Sequence, residues 1–91
     1  MDTLKACGWA YDALDRYGLE GWMVTFDECK VRAGACFFDR KEISLSDHHV
    51  ALNDEAVVQE TILHEVAHAL AFELGSERGH GPVWERCCGV V

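Results

Sequence analysis

Proline is nearly missing from this chain: Pro82 is the only one in 91 residues. No repeat, low-complexity run or linker is visible either, so residues 1–91 read as one domain with room for one core and little stability to spare. No apolar run approaches the roughly 18–20 residues that a membrane span needs. The opening MDTLKACGWAYDALDRYG has an acid at once and no apolar core, so a secretory signal is not expected. No CxxC pair occurs, which excludes the simplest zinc ribbons and dithiol redox sites. The cysteines are odd in number (Cys7, Cys29, Cys36, Cys87 and Cys88), and without an export signal they read as reduced thiols in a cytoplasm. Basic residues are scarce as well. Eight Lys and Arg against sixteen Asp and Glu leave a net charge of −8, which speaks against autonomous nucleic-acid binding. Four of those eight (Lys30, Arg32, Arg40 and Lys41) fall within residues 30–41. They read as a solvated hairpin edge guarded by charge, with a contact strip for an anionic partner as the alternative.

What is present has the pattern of an α+β fold. Leu4, Cys7, Ala10 or Tyr11, Leu14 and Tyr17 recur at spacings of three and four, predicting a helix over 2–17 with Asp2 or Thr3 as cap. GWMVTFDE predicts a strand over 22–26. KVRAGACFF and KEISLS predict two more strands, joined by a short hairpin connection at DRK, so a small three-stranded antiparallel sheet is expected. SDHHVALND reads as a polar lead into the next helix. That helix should run from Asp54 to Leu74 with Asn53 as N-cap and Gly75 at its end. A glycine-rich turn follows, and Pro82 suits the first turn of a short last helix.

The long helix carries HEVAH. At 100° per residue, His68 falls near 40° and Glu65 near 100° from His64, on one face with Val57, Thr61 and Phe72. Ile62, Leu63, Val66, Ala67, Leu70 and Leu74 fill the opposite arc, so the helix should be central and buried. Burying two imidazoles and a carboxylate costs several kcal/mol unless they are paired or ligated, and a metal supplies that compensation. Residues i and i+4 present two nitrogens to one ion. The intervening glutamate, offset around the helix, is placed to meet a water beside the metal rather than the metal itself. This is the HExxH arrangement of two ligands and a general base.

A third protein ligand is needed. Glu73 lies on the far side of the helix, Glu77 in the turn, and Glu85 on the last helix. His80, between Gly79 and Gly81, is where the chain can fold back over His64 and His68, and is the choice. Ala71 stands where the metzincin pattern requires glycine, excluding that family. His48 and His49 read as solvent-facing or capping residues, with a place beside the site as the lesser alternative.

The ordered pieces GWMVTFDE, RAGACFF, KEISLS, TILHEVAHAL and GHGPVWERCC resemble the SprT-like family of zinc metallopeptidases. The resemblance runs from about Trp9 to Cys88. It implies a zincin-like fold with Zn2+ held by His64, His68 and His80, Glu65 as the catalytic residue, and Trp84 packing the last helix beneath the site. It also implies hydrolysis of peptide bonds in protein or peptide substrates, with DNA–protein crosslink processing as the family's setting. Larger relatives carry a zinc ribbon or DNA-binding module after the third ligand, whereas this sequence ends at Val91, so a minimal catalytic core is expected. No membrane partner is expected, and nucleic acid only through a partner or further domain. The competing reading is a non-catalytic adaptor that zinc stabilises and that binds a protein partner.

Overall fold

A computed structural model describes all residues from Met1 to Val91. Helix α1 spans Thr3–Arg16, strand β1 Met23–Asp27, strand β2 Gly34–Phe37 and strand β3 Glu42–Ser46. Helices α2 (Asp47–Leu52), α3 (Glu55–Gly75) and α4 (Pro82–Val90) follow. The class is α+β, as the pattern implied.

The helix ends follow local chemistry. Asp2 caps α1 by accepting from the Lys5 amide, and Asp54 caps α3 by accepting from the Val57 amide. The cap of α3 is therefore Asp54, one residue after the expected Asn53. Asn53 instead donates its side-chain amide to the His49 carbonyl. Gly75 is the last residue of α3, and Ser76 takes the left-handed conformation (φ 56°) that ends it. Pro82 opens α4 as expected.

The sheet is mixed rather than antiparallel, with order β1-β3-β2. β3 runs parallel to β1, pairing Val24 with Ile43 and Phe26 with Leu45. It runs antiparallel to β2, pairing Cys36 with Ile43 and Gly34 with Leu45. β1 and β2 thus leave room between them, and the chain returns to fill it. The loop over 28–33 bridges the end of β3, where Ser46 donates its amide to the Ala33 carbonyl and its hydroxyl to the Cys29 carbonyl. KEISLS is consequently the central strand, and β2 is an edge. Alternating polarity reports which face a residue points to, but carries no information on strand direction or neighbours.

Of the two connections, the short hairpin link at DRK is as expected, whereas the polar lead is not. The DRK hairpin turn is a single 3-10 turn over Phe38–Arg40, closed by Lys41 in the left-handed region (φ 50°). The polar lead at 47–52 is the short helix α2, capped by the Ser46 hydroxyl on the His49 amide.

One face of the sheet packs on the helices. Val24, Ile43 and Leu45 join Ala6, Ala10, Ala13 and Leu14 of α1, Val50 of α2, and Val58, Ile62, Val66 and Ala69 of α3 in one core. The other face is polar. Ser44 donates to Asp27 at 2.6 Å, Thr25 to Glu42 at 2.9 Å, and Arg32 to Asp27 at 3.1 Å. These bonds satisfy the buried serine of the central strand, as burial requires. A smaller cluster of Ala67, Ala71 and Cys87 holds α4 against α3. Ile62 is fully buried at the centre of the main core. Removing one methylene there, Ile62→Val, should cost about 0.5–1.5 kcal/mol, read as a lower urea midpoint at unchanged slope.

Candidate functional site

The two turns of α3 that carry His64, Glu65 and His68 face β2 on one side and α4 on the other. His68 and Glu65 are buried, whereas His64 lies at the solvent edge. β2 makes the close approach achievable. Its helix-facing positions are Gly34 and Cys36, both small. A Cβ at residue 34 would stand 3.3 Å from Glu65 Cγ and 3.3 Å from the Ser44 carbonyl, so a larger side chain would push the strand off the carboxylate. This gives Gly-Ala-Cys a physical reason within RAGACFF that the sequence did not supply.

His80 reaches the same place from the turn at 76–81. Its Nε2 lies 3.0 Å from His68 Nε2 and 3.3 Å from His64 Nε2, and the latter two are 3.2 Å apart. Three ring nitrogens cannot satisfy one another in this triangle, because each is either donor or acceptor and every pair is in contact. The spacing is instead close to the roughly 3.3 Å edge of a tetrahedron whose centre lies 2.0–2.1 Å from each nitrogen. The donor set therefore fits a divalent metal, and these are the only residues of the chain grouped closely enough to hold one.

Electrostatics point the same way. Burial, then the charges of His64 and His80, push His68 down to about 4. Burial, then His80, lowers His64 as well. Both imidazoles are thus neutral at physiological pH, with lone pairs free to coordinate. Burial pushes Glu65 up to about 7, only partly offset by Arg32. Burial, then the charge of Glu65, raises the Cys36 thiol to about 12, so it is protonated and inert as a nucleophile. Glu65 borders two openings, one of about 460 Å³ shared with Gly34, Thr61 and His64, and one of about 180 Å³ shared with Cys36, His68, Arg78 and His80.

Trp84 lies beneath all three imidazoles. Its ring stacks on His68 (5.4 Å, 24°) and meets His64 and His80 edge-on at 5.3 and 4.4 Å. His68 Nδ1 is buried without a hydrogen-bond partner, so the acceptor that usually orients a ligating histidine is replaced by packing against the indole and Phe38.

The remaining candidates go elsewhere. Glu73 accepts from Trp22 and pairs with Lys41, away from the histidines. Glu77 turns to α4, accepting from the amides of Val83 (3.4 Å) and Trp84 (2.7 Å). It supplies the cap that Gly81, at the N-cap position, lacks. A Cβ on Gly81 would meet that carboxylate at 2.6 Å, so residues 77 and 81 are matched. Arg78 pairs with Asp39 and lies over the rings of Phe38 and Phe72. His80 is thus carried by a turn tied down on both sides. His49 bonds Thr61 and Asn53 through its ring, and His48 is exposed beside Asp47, so neither joins the site. Glu77 was not legible as a cap, since it acts from outside its helix.

Glu77→Ala should loosen the turn and weaken metal affinity about tenfold, measured with Zn2+ against a chromogenic chelator. The pH behaviour of the metal-free protein follows from the shifts. Glu65 binds its proton more tightly folded than unfolded, so its contribution to stability is intact below about 4.5 and is lost as pH rises through about 7. His68 has the opposite sign, with stability lost as pH falls from about 6.5 toward about 4. Metal-free Glu65→Gln should therefore gain about 1–3 kcal/mol over the parent at pH 8 and nothing at pH 4, measured by chemical denaturation.

With this geometry in view, the comparisons with known proteins are narrow. No curated protein and no solved structure matches the chain. The model of the SprT-like family matches residues 10–91, a span holding the whole sheet, α2, the HExxH helix, the His80 turn and Trp84. The chain belongs to the SprT-like family.

Proposed function

We propose that the protein is a zinc metallopeptidase whose ligands are His64, His68 and His80 and whose general base is Glu65. The observation that carries the reading is the convergence of three imidazole nitrogens within 3.0–3.3 Å beside the buried Glu65 carboxylate, whose proton affinity burial raises. Three imidazoles suit zinc, and three protein ligands leave one coordination position open, as catalytic zinc sites do. When bound, zinc supplies Lewis acidity, which acidifies water and polarises a carbonyl.

The rest is the work of the chain. Glu65, with its proton affinity raised to about 7, takes the proton of the attacking water and hands it to the leaving amine, which matches the pKa that general acid–base catalysis near neutrality favours. Lost burial or a displaced β2 would return the carboxylate to its ordinary range and remove this match. β2, as the edge strand bordering the site, offers backbone groups along which an extended peptide can add as a further strand. β3 is paired on both sides and offers no such free backbone groups. Processing of DNA–protein crosslinks remains the family's setting for such an activity.

The alternative is a non-catalytic adaptor stabilised by zinc. A single substitution separates the two. Purified protein should carry about one zinc per chain by mass spectrometry, and His80→Ala should lose most of it. Glu65→Gln should keep the metal and lower peptide turnover by at least about a hundredfold. Unchanged partner binding with no turnover in the parent would establish the adaptor.

A further inference from the structure

The loop at 29–33 and α2 border a cleft of about 530 Å³, whose lining includes Lys30, Val31, Arg32, His48, His49 and Leu52. In a chain of net charge −8, this lining contains no acid. The polar contacts divide its basic groups. His49 spends both ring nitrogens on Thr61 and Asn53. Arg32 gives one arm of its guanidinium to Asp27 and the other, at 3.7 Å, to the Cys29 sulfur, and His48 lies 4.0 Å from Asp47. Lys30 is exposed and forms no ion pair. Two apolar side chains flank it, Val31 at 95% and Leu52 at 83% exposure.

The cleft adjoins the candidate site. Ala33 borders both it and the opening shared by Gly34, His64 and Glu65, and the intervening backbone is the entry to β2. A peptide pairing antiparallel to β2 would run from the Phe37 end toward Gly34. Its residues C-terminal to the bond at Glu65 would then lie over residues 30–33. A cationic group with apolar flanks recognises a carboxylate side chain with an apolar neighbour. An extended polyanion such as nucleic acid would instead meet the acidic remainder of the surface.

We propose that this cleft is a substrate subsite that selects acidic side chains on the C-terminal side of the cleaved bond, with Lys30 as its principal contact and Arg32 in support. The inference rests on the peptidase reading, but its binding half can be measured without turnover. Zinc-loaded Glu65→Gln protein should bind a fluorescent peptide carrying two glutamates about tenfold more tightly than the same peptide with glutamines. That difference should vanish in a Glu65→Gln, Lys30→Glu double variant whose circular dichroism is unchanged, and it should shrink with added salt. Equal affinity for the two peptides, or a preference that survives Lys30→Glu, would overturn the proposal. So would a single-stranded oligonucleotide that binds more tightly than the acidic peptide and loses affinity on Lys30→Glu, which would make the cleft a nucleic-acid contact. A parent protein that cleaves nothing while the variant keeps the acidic preference would sink the peptidase reading and leave the cleft. Cleavage with no preference for acid after the scissile bond would do the reverse.

Discussion

The structure depends on one costly placement: a carboxylate and imidazoles on a helix that is otherwise core. α3 cannot expose the face bearing Glu65 and His68 without unpacking Val58, Ile62, Val66 and Ala69 from the other. The surroundings are therefore shaped to the polar face. β2 narrows to Gly34 and Cys36 where it passes Glu65, α4 lays Trp84 under the rings, and the turn at 76–81 brings His80 within 3.0 Å of His68. Without a cation, the arrangement holds neutral imidazoles and a carboxylate whose ionisation is resisted. With one, the same groups become mutually favourable.

The supports of His80 show how a glycine-flanked side chain can still be held in place. Gly79 and Gly81 allow the sharp reversal, but freedom of that kind would cost entropy on binding. Glu77 and Arg78, neighbours in sequence, point to opposite sides and restrict it. One joins the turn to the start of α4, and the other joins it to Asp39 after β2. Neither residue touches the ring nitrogens, yet both bear on where His80 Nε2 lies.

Much of the site was legible in the sequence because it is local. HEVAH sets its own geometry through helical periodicity, and the glycines around position 80 mark a reversal. Pro82 and Asp54 mark helix starts by the same local logic, to within a residue. What could not be read is non-local. The direction of β3 depends on its partners, and Ile43 and Leu45 would bury equally well in either sheet. α2 is not legible because DHHVAL has one core residue, Val50, too few for a helical period to show. Glu77 caps a helix that begins five residues later. Gly34 and Cys36 stand within RAGACFF, but their use as clearance for Glu65 appears only once β2 lies over α3.

The mixed sheet has a consequence for how the site comes together. All three imidazoles, the indole beneath them and the clamp from Glu77 lie within residues 64–84, so their contacts close short loops. The cover over Glu65 has a different origin. Within the sheet β2 pairs only with β3, and its close approach to α3 at Gly34 and Glu65 joins positions 31 residues apart, a longer stretch than any among His64, His68, His80 and Trp84. Loop closure favours the first set and delays the second. In refolding from denaturant, the ring nitrogens would gather before the carboxylate is enclosed, while Glu65 is still wet and acidic. The enclosure that raises the proton affinity of Glu65 would thus be the last part of the site to form, arriving with the completed sheet.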